Sequence, residues 1–267
     1  MTPGFHPQPR IARPLTLVAT MGLIVTAVLG VAAHLVPDPG MSPLSLTISD
    51  YAVSDRGWLM NIAILTIGLT SLAVPLALRA ARAPIGAATE VLLLVWCLGL
   101  TAAALVPTDP IGTVGLSTAG QVHRYVSVAA FVALPVATLL ALRTLRADAR
   151  WRGAVPALRA LAVASVLGLL ALYYVAFPGG RVMMGLVERV LVVVELALLA
   201  VLVARLYRVV ARGPEPATPP VHRPGPVAQG AWGTVAGRPA SVARGTPFAD
   251  RQPPLVRGEW GRRAARW

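Results

Sequence analysis

The 267-residue sequence contains no lysine, a single cysteine and few charged residues of either sign. Charged residues make up 13% of the chain and hydrophobic residues 56%, whereas an ordinary soluble domain has about 25% charged residues. This composition excludes an ordinary water-soluble domain. Cys97 lies inside an apolar run, which excludes a disulfide framework and argues against thiol chemistry. All 24 basic residues are arginine, which indicates the coding bias of a high-GC bacterial genome.

Six long apolar stretches alternate with short polar connections. A helix needs about 20 mostly apolar residues to cross the hydrocarbon core of a bilayer. The stretches of sufficient length are residues 14–36, 58–78, 85–106, 122–142, 155–177 and 182–206. The sequence therefore predicts an all-α fold, a polytopic membrane helical bundle with six transmembrane helices over residues 14–210. The first stretch is longer than the apolar core of a signal peptide, so we interpret it as a retained span.

Arginine and aspartate fall into alternate connections, and this asymmetry predicts the orientation. Short cytoplasmic loops are rich in arginine. One set of connections carries Arg10, Arg13, Arg79, Arg82, Arg143, Arg146, Arg150, Arg152, Arg205, Arg208 and Arg212, and the other carries mostly Asp38, Asp50, Asp55 and Asp109. We therefore predict a multi-pass protein of the bacterial plasma membrane with both termini in the cytoplasm, including the segment 1–13. Trp58, Tyr173 and Tyr174 then fall at the outer boundary and Trp151 at the inner one.

Residues 211–267 are rich in proline, glycine and arginine, which predicts a disordered basic tail on the cytoplasmic side. Two interpretations remain open for this tail. Its arginines attract anionic lipid of the inner leaflet, or they reflect only the coding bias. The net charge of +13 does not predict nucleic-acid binding, because no folded recognition module accompanies it. Membrane lipids are the expected partners, and the sequence leaves the oligomeric state open.

Small residues and prolines inside the spans predict how the helices pack. Ala160, Ala164 and Gly168 recur at four-residue spacing in the fifth span, which predicts a close helix contact along that face. Pro75 and Pro135 lie within the second and fourth spans, and each removes a backbone donor. We expect both spans to bend at these prolines.

Glu195 is the costliest residue in the predicted spans. It lies about 18–20 Å from the start of the sixth span, near the middle of the membrane. An ionised carboxylate there costs at least about 2.5–3.5 kcal/mol. Glu188 is seven residues earlier on the same face. The two carboxyl groups either form hydrogen bonds that hold the bundle together, or they carry protons or a cation in a coupled transporter.

Histidine and serine residues near the outer face suggest catalytic constellations that remain incomplete in the sequence. His34, His123 and Asp109 are the available trio for a catalytic zinc ion, which usually takes three protein ligands. Ser49 or Ser117 with His123 and Asp109 would make a hydrolytic triad, but such triads are defined by geometry. His34 and His123 would have to face each other to hold a haem. We therefore predict no catalytic residue, no metal site and no cofactor.

Several motifs together resemble a known family. They are "SDYAVSDRGWLMNIAILTIGL", "VPTDPIG", "STAGQVHRYVSVAAF" and "GLVERVLVVVELALLAVLVARL". As a set they resemble the six-span bacterial membrane proteins grouped as domain of unknown function 998, over approximately residues 15 to 210. The matching positions are Tyr51, Gly57, Trp58, Pro107, Thr108, Asp109, Pro110, Gly120, His123, Gly185, Glu188 and Arg189. Val106 replaces the phenylalanine of the family pattern, and Ala119 replaces its first histidine, which weakens a two-histidine metal site. The resemblance implies a fold and no reaction.

The predicted topology brings the polar motif residues to the outer end of the bundle. They are Tyr51, Asp109, His123, Glu188 and Arg189. Asp109 is either the polar residue of a turn before Pro110, or it pairs with His123 or Arg189. We predict an outward polar cluster that binds a lipid headgroup or a small polar ligand. The alternatives are a membrane-embedded lipid hydrolase that uses His123 and Asp109, and a transporter that uses Glu188 and Glu195.

Overall fold

The computed structural model describes residues 9–36 and 38–212, and this part of the chain is helical without β-strands. The helices are α1 (Pro9–Leu35), α2 (Ile48–Ala52), α3 (Trp58–Ser71), α4 (Ala73–Ala80), α5 (Ala87–Leu105), α6 (Thr118–Ala147), α7 (Val155–Ala176) and α8 (Met184–Ala211), with a 3₁₀ turn at Arg152–Ala154. The predicted all-α fold is confirmed for these residues. The predicted tail, apart from its first two residues, and the first eight residues of the predicted N-terminal segment lie outside the described part.

Five helical stretches of the described residues are long and apolar enough to cross a membrane. They are Ile11–Leu35, Trp58–Ala80, Ala87–Leu105, Thr118–Ala147 and Arg152–Ala176. They coincide with the first five predicted stretches, and the chain is therefore a multi-pass membrane protein. The sixth predicted stretch coincides with α8, which carries charged side chains along its length and is not among these five.

The long helices pack in a ring. Helix α1 contacts α3 and α4, α3 contacts α5, α5 contacts α6, α6 contacts α7, α7 contacts α8, and α8 contacts α1 again. Because consecutive spans run in opposite directions, the connections alternate between two ends of the bundle. We call the end where α1, α5 and α7 finish the site end, and the other the opposite end. Buried apolar side chains such as Leu78, Leu134, Leu158 and Leu206 fill the bundle toward the opposite end.

Proline acts differently in the two spans that contain it. Pro75 has no N–H group to donate to the carbonyl of Ser71, and α3 ends at Ser71 before α4 begins at Ala73. The second span is therefore interrupted, as predicted. Helix α6, in contrast, continues through Pro135 without a break.

The small-residue face predicted on α7 is wrong at Ala160, whereas Ala164 and Gly168 are half-buried. Ala160 is exposed, and the buried residues of α7 are Leu158, Ala162 and Ser165. Only the end of the predicted stripe packs closely, because a Cβ atom on Gly168 would lie 3.1 Å from the Leu191 side chain of α8. The fully buried face of α7 therefore contains a leucine, an alanine and a serine and is not made of small residues alone.

Arginine side chains join the connections at the opposite end. The Arg150 guanidinium donates to the carbonyl oxygens of Ala81 and Arg82 at 3.2 and 3.0 Å and to the Asp148 carboxylate at 2.7 Å. The Arg205 Nε atom of α8 donates to the Arg150 carbonyl at 2.6 Å. Three parts of the chain are therefore joined around one arginine.

Trp151 and Glu90 at the opposite end both make contacts inside the protein. Trp151 is fully buried, so its predicted place at a lipid boundary is wrong, whereas Trp58, Tyr173 and Tyr174 at the site end are exposed. Glu90, near the start of α5, forms an ion pair with Arg79 at 2.8 Å.

Candidate functional site

The connection between α1 and α3 folds over the site end of the ring, and we call its residues 38–57 the cap. The cap contains α2, whose N-terminus is closed by a capping box: Thr47 Oγ1 accepts from the Asp50 N–H at 3.1 Å, and Asp50 Oδ2 accepts from the Thr47 N–H at 2.8 Å. Ile48 and Ser49 of α2 line a cavity inside the ring. The cap is therefore an ordered cover over that cavity.

The two ends of the cap are joined by Asp38 and Arg56. The Asp38 carboxylate accepts from the Arg56 backbone N–H at 3.1 Å and lies 3.5 Å from the Arg56 Nε atom. The backbone N–H of Arg56, with help from the Ser54 hydroxyl, holds the pKa of Asp38 below its ordinary value. The pair closes the connection at its base.

Arg189 of α8 fastens the cap to the ring. Its Nη1 atom donates to the carbonyl oxygens of Pro43 and Leu46 at 2.8 and 2.6 Å, and also to that of Gly185 at 3.0 Å. Its Nε atom donates to His34 Nε2 at 2.8 Å. The planar guanidinium can hold several acceptors at once, which a lysine could not do in the same geometry.

Glu188 holds the cap at a second point. Its Oε2 atom accepts the backbone N–H of Ile48 at 2.8 Å, and the side chain is buried. The helix backbone also lies against the cap here, because a Cβ atom on Gly185 would overlap the Leu46 carbonyl oxygen. The glycine, the glutamate and the arginine at the start of α8 therefore act together to seat the cap.

His34 and Tyr51 form an aromatic stack beneath Arg189. The two rings lie 5.6 Å apart with an angle of 25° between their planes, and the Arg189 guanidinium lies 4.7 Å above the Tyr51 ring. His34 Nδ1 donates to the Gly30 carbonyl at 2.7 Å, so its Nε2 is free to accept from Arg189. The Tyr51 hydroxyl donates to the Met41 carbonyl at 3.1 Å, inside the cap.

His123 of α6 approaches the cap from the opposite side of the ring. Its Nδ1 atom donates to the Val106 carbonyl at 2.7 Å, which leaves Nε2 to accept from the Ser49 hydroxyl at 2.9 Å. The imidazole is buried and lines the cavity. A backbone carbonyl therefore orients this histidine, in the place where the sequence suggested Asp109.

Asp109 belongs to a turn and does not take part in the cluster. Its Oδ2 atom accepts the Ser117 backbone N–H at 3.0 Å, and the carboxylate lies so close to Gly120 that a Cβ atom there would overlap it. Ser117 in turn caps α6 by accepting from the Gly120 N–H at 3.0 Å. Of the two alternatives for Asp109, the structure therefore has the turn, and no hydrogen bond or ion pair joins its carboxylate to His123 or Arg189 within residues 38–212.

A cavity of about 580 Å³ lies under the cap. Its walls are mostly apolar side chains of α1, α3, α5, α6 and α8, such as Ile67, Leu100, Phe131, Val192 and Leu196. His34, Ser49, His123, Glu188 and Arg189 line its site end. The cavity therefore has an apolar body and one polar end. An amphiphilic molecule has the same two parts.

The cavity opens sideways between α1 and α8. Val31 and Leu35 of α1 and Val193 of α8 line the cavity and are also 62%, 76% and 64% exposed. These residues lie on neighbouring helices whose outer surfaces are apolar. The opening therefore faces the hydrocarbon of a surrounding bilayer.

Glu195 and Trp96 line the cavity further from the cap. Each is 2% exposed, and neither Glu195 Oε1 nor Trp96 Nε1 has a hydrogen-bond partner among the described residues. The Trp96 indole is a neighbour of the Glu195 carboxyl group, but no hydrogen bond of ordinary geometry joins them. Glu188 and Glu195 both face the cavity, as their seven-residue spacing predicts.

The candidate metal ligands do not come together. His34 and His123 use both ring nitrogens in hydrogen bonds with protein groups, and Asp109 lies in its turn. Within residues 9–36 and 38–212, no three histidine, cysteine, aspartate or glutamate side chains are grouped so that they could hold a metal ion.

A family model covers the cap and the cavity together. The model is described as "Protein of unknown function (DUF998)" and matches residues 17–205. The chain belongs to the DUF998 family. No curated protein and no solved structure matches this DUF998 chain. The resemblance of the sequence motifs to this family is therefore confirmed.

His34, Ser49 and Trp96 of this DUF998 protein line the cavity and are missing from the cluster predicted from sequence. His34 carries a signal that was available, since it ends the first span at the same end as Tyr51. Trp96 carries none, because a tryptophan inside an apolar span is an ordinary core residue. The cavity is formed by side chains from five long helices, so it cannot be predicted from the sequence pattern of any one of them.

Proposed function

We propose that this DUF998 protein binds an amphiphilic molecule of the bilayer in the cavity under the cap. One observation carries the proposal, which is that an apolar cavity of about 580 Å³ ends in a set of polar side chains fixed by one another. This volume lies within the range of about 300–1,000 Å³ that is usual for ligand sites. The apolar body of the ligand would lie against the helix walls, and its polar group would meet the site end.

The Arg189 guanidinium at the site end favours an anionic polar group, and the neighbouring Glu188 carboxyl group accepts a hydrogen bond from the Ile48 N–H. Arg189 is the arginine of the cavity lining, and it is fixed in place by the cap and His34. His123 and Ser49 supply further hydrogen-bonding groups at the same end of the cavity. A carboxylate or phosphate headgroup would gain from the positive charge without any side chain having to be ordered on binding. The sideways opening between α1 and α8 supports entry from the bilayer.

We further propose that α8 is the sixth transmembrane helix and that both termini are cytoplasmic. Its 28 residues correspond to about 42 Å of helix, longer than the hydrocarbon core. Arginine residues gather in the connections of the opposite end, and this distribution is typical of the cytoplasmic side. In a bacterial plasma membrane the cap would then face outward. Contact of the basic tail with anionic lipid stays a prediction.

A matched pair of tryptophan substitutions on α3 tests ligand binding. Ile64 lines the cavity, whereas Ile62 is 43% exposed on the lipid-facing side of the same helix. We expect native mass spectrometry of gently extracted wild-type protein to show a bound lipid-like mass. That mass should disappear in Ile64→Trp, which fills the cavity, and persist in Ile62→Trp.

Thermal melting of each variant separates loss of ligand from loss of fold. A well-folded Ile64→Trp protein that retains the bound mass would overturn the proposal. So would a wild-type protein that binds neither its native lipids nor an added long-chain fatty acid, because the proposed site takes an amphiphile with an anionic end.

A second candidate function, a lipid-ester hydrolase, rests on the contact between Ser49 and His123. The Ser49 hydroxyl lies 2.9 Å from His123 Nε2, and the Val106 carbonyl orients the imidazole. A hydroxyl beside an oriented base is the arrangement of an activated nucleophile. Ser49 Oγ would form an ester bond with the acyl carbon while His123 takes its proton and passes it to the leaving alcohol. Water would then release the acid and restore the serine.

Covalent labelling tests this second function. A fluorophosphonate probe should modify wild-type protein at Ser49, and Ser49→Ala and His123→Ala should abolish the labelling. Ser45 is an exposed serine of the same cap, so Ser45→Ala is the matched control and should label normally. Absence of labelling in wild-type protein that binds lipid would reject hydrolysis and leave the binding function in place. Coupled transport through Glu188 and Glu195 remains an alternative prediction, and unchanged transport in Glu195→Gln would contradict it.

A further inference from the structure

Two buried polar atoms in the middle of the cavity have no partner among the described residues. They are Oε1 of Glu195 on α8 and Nε1 of Trp96 on α5. Both side chains line the cavity, and each is 2% exposed. Glu195 comes six residues after Arg189, which places it about 9 Å further along the helix axis. The pair is therefore a polar point separate from the cluster under the cap.

The surroundings of this pair leave it without an alternative partner. Buried polar groups in proteins nearly always form hydrogen bonds, so an unpaired pair calls for a physical reason. Arg189 is the arginine of the cavity lining. Its Nη1 and Nε atoms donate to the cap and to His34, whereas its buried Nη2 atom has no partner among the described residues. Arg189 lies about 9 Å from Glu195 along the helix axis, too far for a direct hydrogen bond along the helix. Thr26, another polar residue of the lining, donates to the Ala63 carbonyl at 3.4 Å. Ser127 also lines the cavity, but no hydrogen bond from it or from another described residue reaches Glu195 Oε1 or Trp96 Nε1, so a molecule inside the cavity can supply the partner.

The two side chains differ in what they offer. A tryptophan indole only donates. A carboxyl group at this depth without a cationic neighbour is stable in its neutral form, which offers one donor and an accepting oxygen. A group that both accepts and donates can satisfy an indole N–H and a carboxyl oxygen at once. A hydroxyl group has this property, whereas a hydrocarbon chain does not.

We propose that Glu195 and Trp96 form a second recognition site that binds a hydroxyl group carried on the apolar body of the ligand. This inference rests on the proposed function, since the same molecule occupies the cavity. Its polar head lies at Arg189, and its hydroxyl lies about 9 Å deeper, where it accepts from Trp96 Nε1 and donates to Glu195. The ligand class is therefore a hydroxylated amphiphile, such as a lipid acid with an alcohol in its chain.

A pair of probes tests the second site in detergent-purified protein. The probes are stearic acid and its counterpart with one mid-chain hydroxyl, compared by competition and by native mass spectrometry. Wild-type protein should prefer the hydroxylated acid by about ten-fold, because the plain chain leaves both buried groups unpaired. Trp96→Phe and Glu195→Leu should each reduce this preference to about two-fold or less.

Two further variants separate hydroxyl recognition from acid chemistry at Glu195 and from a general effect of losing a buried indole. Glu195→Gln keeps a donor and an acceptor, so it should keep the preference for the hydroxylated acid. Loss of this preference would show that Glu195 has a role that needs the acid itself, and it would overturn the proposal. Trp151 is also buried, and its Nε1 has no partner among the described residues, but it lies outside the cavity lining. Trp151→Phe is therefore the matched control and should keep the preference.

The outcomes distinguish the second site from the cavity as a whole. Equal affinity of wild-type protein for the two acids would overturn the hydroxyl site and leave the proposed lipid binding intact. Binding of neither acid would overturn the proposed function, and the inference with it. Glu195→Leu removes a buried carboxyl group whose Oε1 atom has no hydrogen-bond partner among the described residues. Its removal leaves no new polar group unpaired, so this variant should melt no lower than wild type.

Discussion

Replacing Arg189 with alanine should open the cap while leaving the ring of helices folded. Three of the hydrogen bonds of Arg189 join α8 to other segments, at 2.8 Å to Pro43, 2.6 Å to Leu46 and 2.8 Å to His34. Hydrogen bonds between helices of membrane proteins contribute about 0.6 kcal/mol on average and up to about 1.7 kcal/mol. Because the three acceptors share one guanidinium, we take a value a little above the average for each bond.

The contacts together give an expected magnitude. Three bonds at about 0.8 kcal/mol and a contact with the Tyr51 ring at about 0.5 kcal/mol sum to about 3 kcal/mol of cap stability. A loss of that size multiplies the opening equilibrium by roughly 100-fold, since about 1.4 kcal/mol corresponds to a factor of ten. Arg189→Lys should fall between wild type and alanine, because an ammonium group keeps the charge without the planar fork.

Hydrogen exchange read by mass spectrometry measures this opening directly. Peptides within residues 38–57 should exchange roughly 100-fold faster in Arg189→Ala, whereas peptides of α6 should be unchanged. Arg124 is an exposed arginine at the same end of the bundle, so Arg124→Ala should leave cap exchange at the wild-type rate. Wild-type exchange of the cap in a well-folded Arg189→Ala protein would refute the reasoning that this side chain fastens it.

Three further changes follow from close contacts and from one carboxylate. Gly68→Ala should lower the thermal midpoint markedly, because its Cβ would lie 2.7 Å from the backbone of α5, whereas Gly30→Ala in an open part of α1 should leave the midpoint unchanged or slightly higher. Gly120→Ala should destabilise the start of α6, and Asp109→Ala should relieve that clash in the double variant; additive effects would contradict the contact. The pKa of Asp38 is lowered from 3.8 in the folded protein, so its contribution to cap stability is present above about pH 4 and disappears as pH falls through the lowered pKa. Cap exchange followed against pH should show this loss in wild type and not in Asp38→Asn.

The membrane-spanning pattern could be predicted from sequence because it depends on local composition. Six apolar stretches bounded by arginine and aspartate coincide with helices α1 and α3 to α8 within a few residues. The break before Pro75 could be predicted for the same reason, because the missing donor acts within one turn of helix. The burial of Trp151 could not, since it depends on how the connection between α6 and α7 folds against neighbouring helices.

Some members of the candidate site could be predicted from sequence, but not its arrangement. Tyr51, Glu188 and Arg189 do meet at one end of the bundle, because the alternation of spans places their segments there. The cap could not be predicted, since a short helix such as α2 is decided by its capping box and its anchors rather than by periodicity. Asp109 shows the limit most clearly, because its spacing from His123 fits either a turn or a pair, and only the path of the chain decides between them.

The anchors of the cap come late in the chain, which sets an order of events during synthesis. Ser49 is held by a residue 74 positions later, and Ile48 and Leu46 are held by residues 140 and 143 positions later. The cap segment therefore leaves the ribosome long before its fastenings exist, and it cannot close until α8 has joined the bundle. Because α8 also supplies one wall of the cavity, the cavity and its cover are completed in the same step.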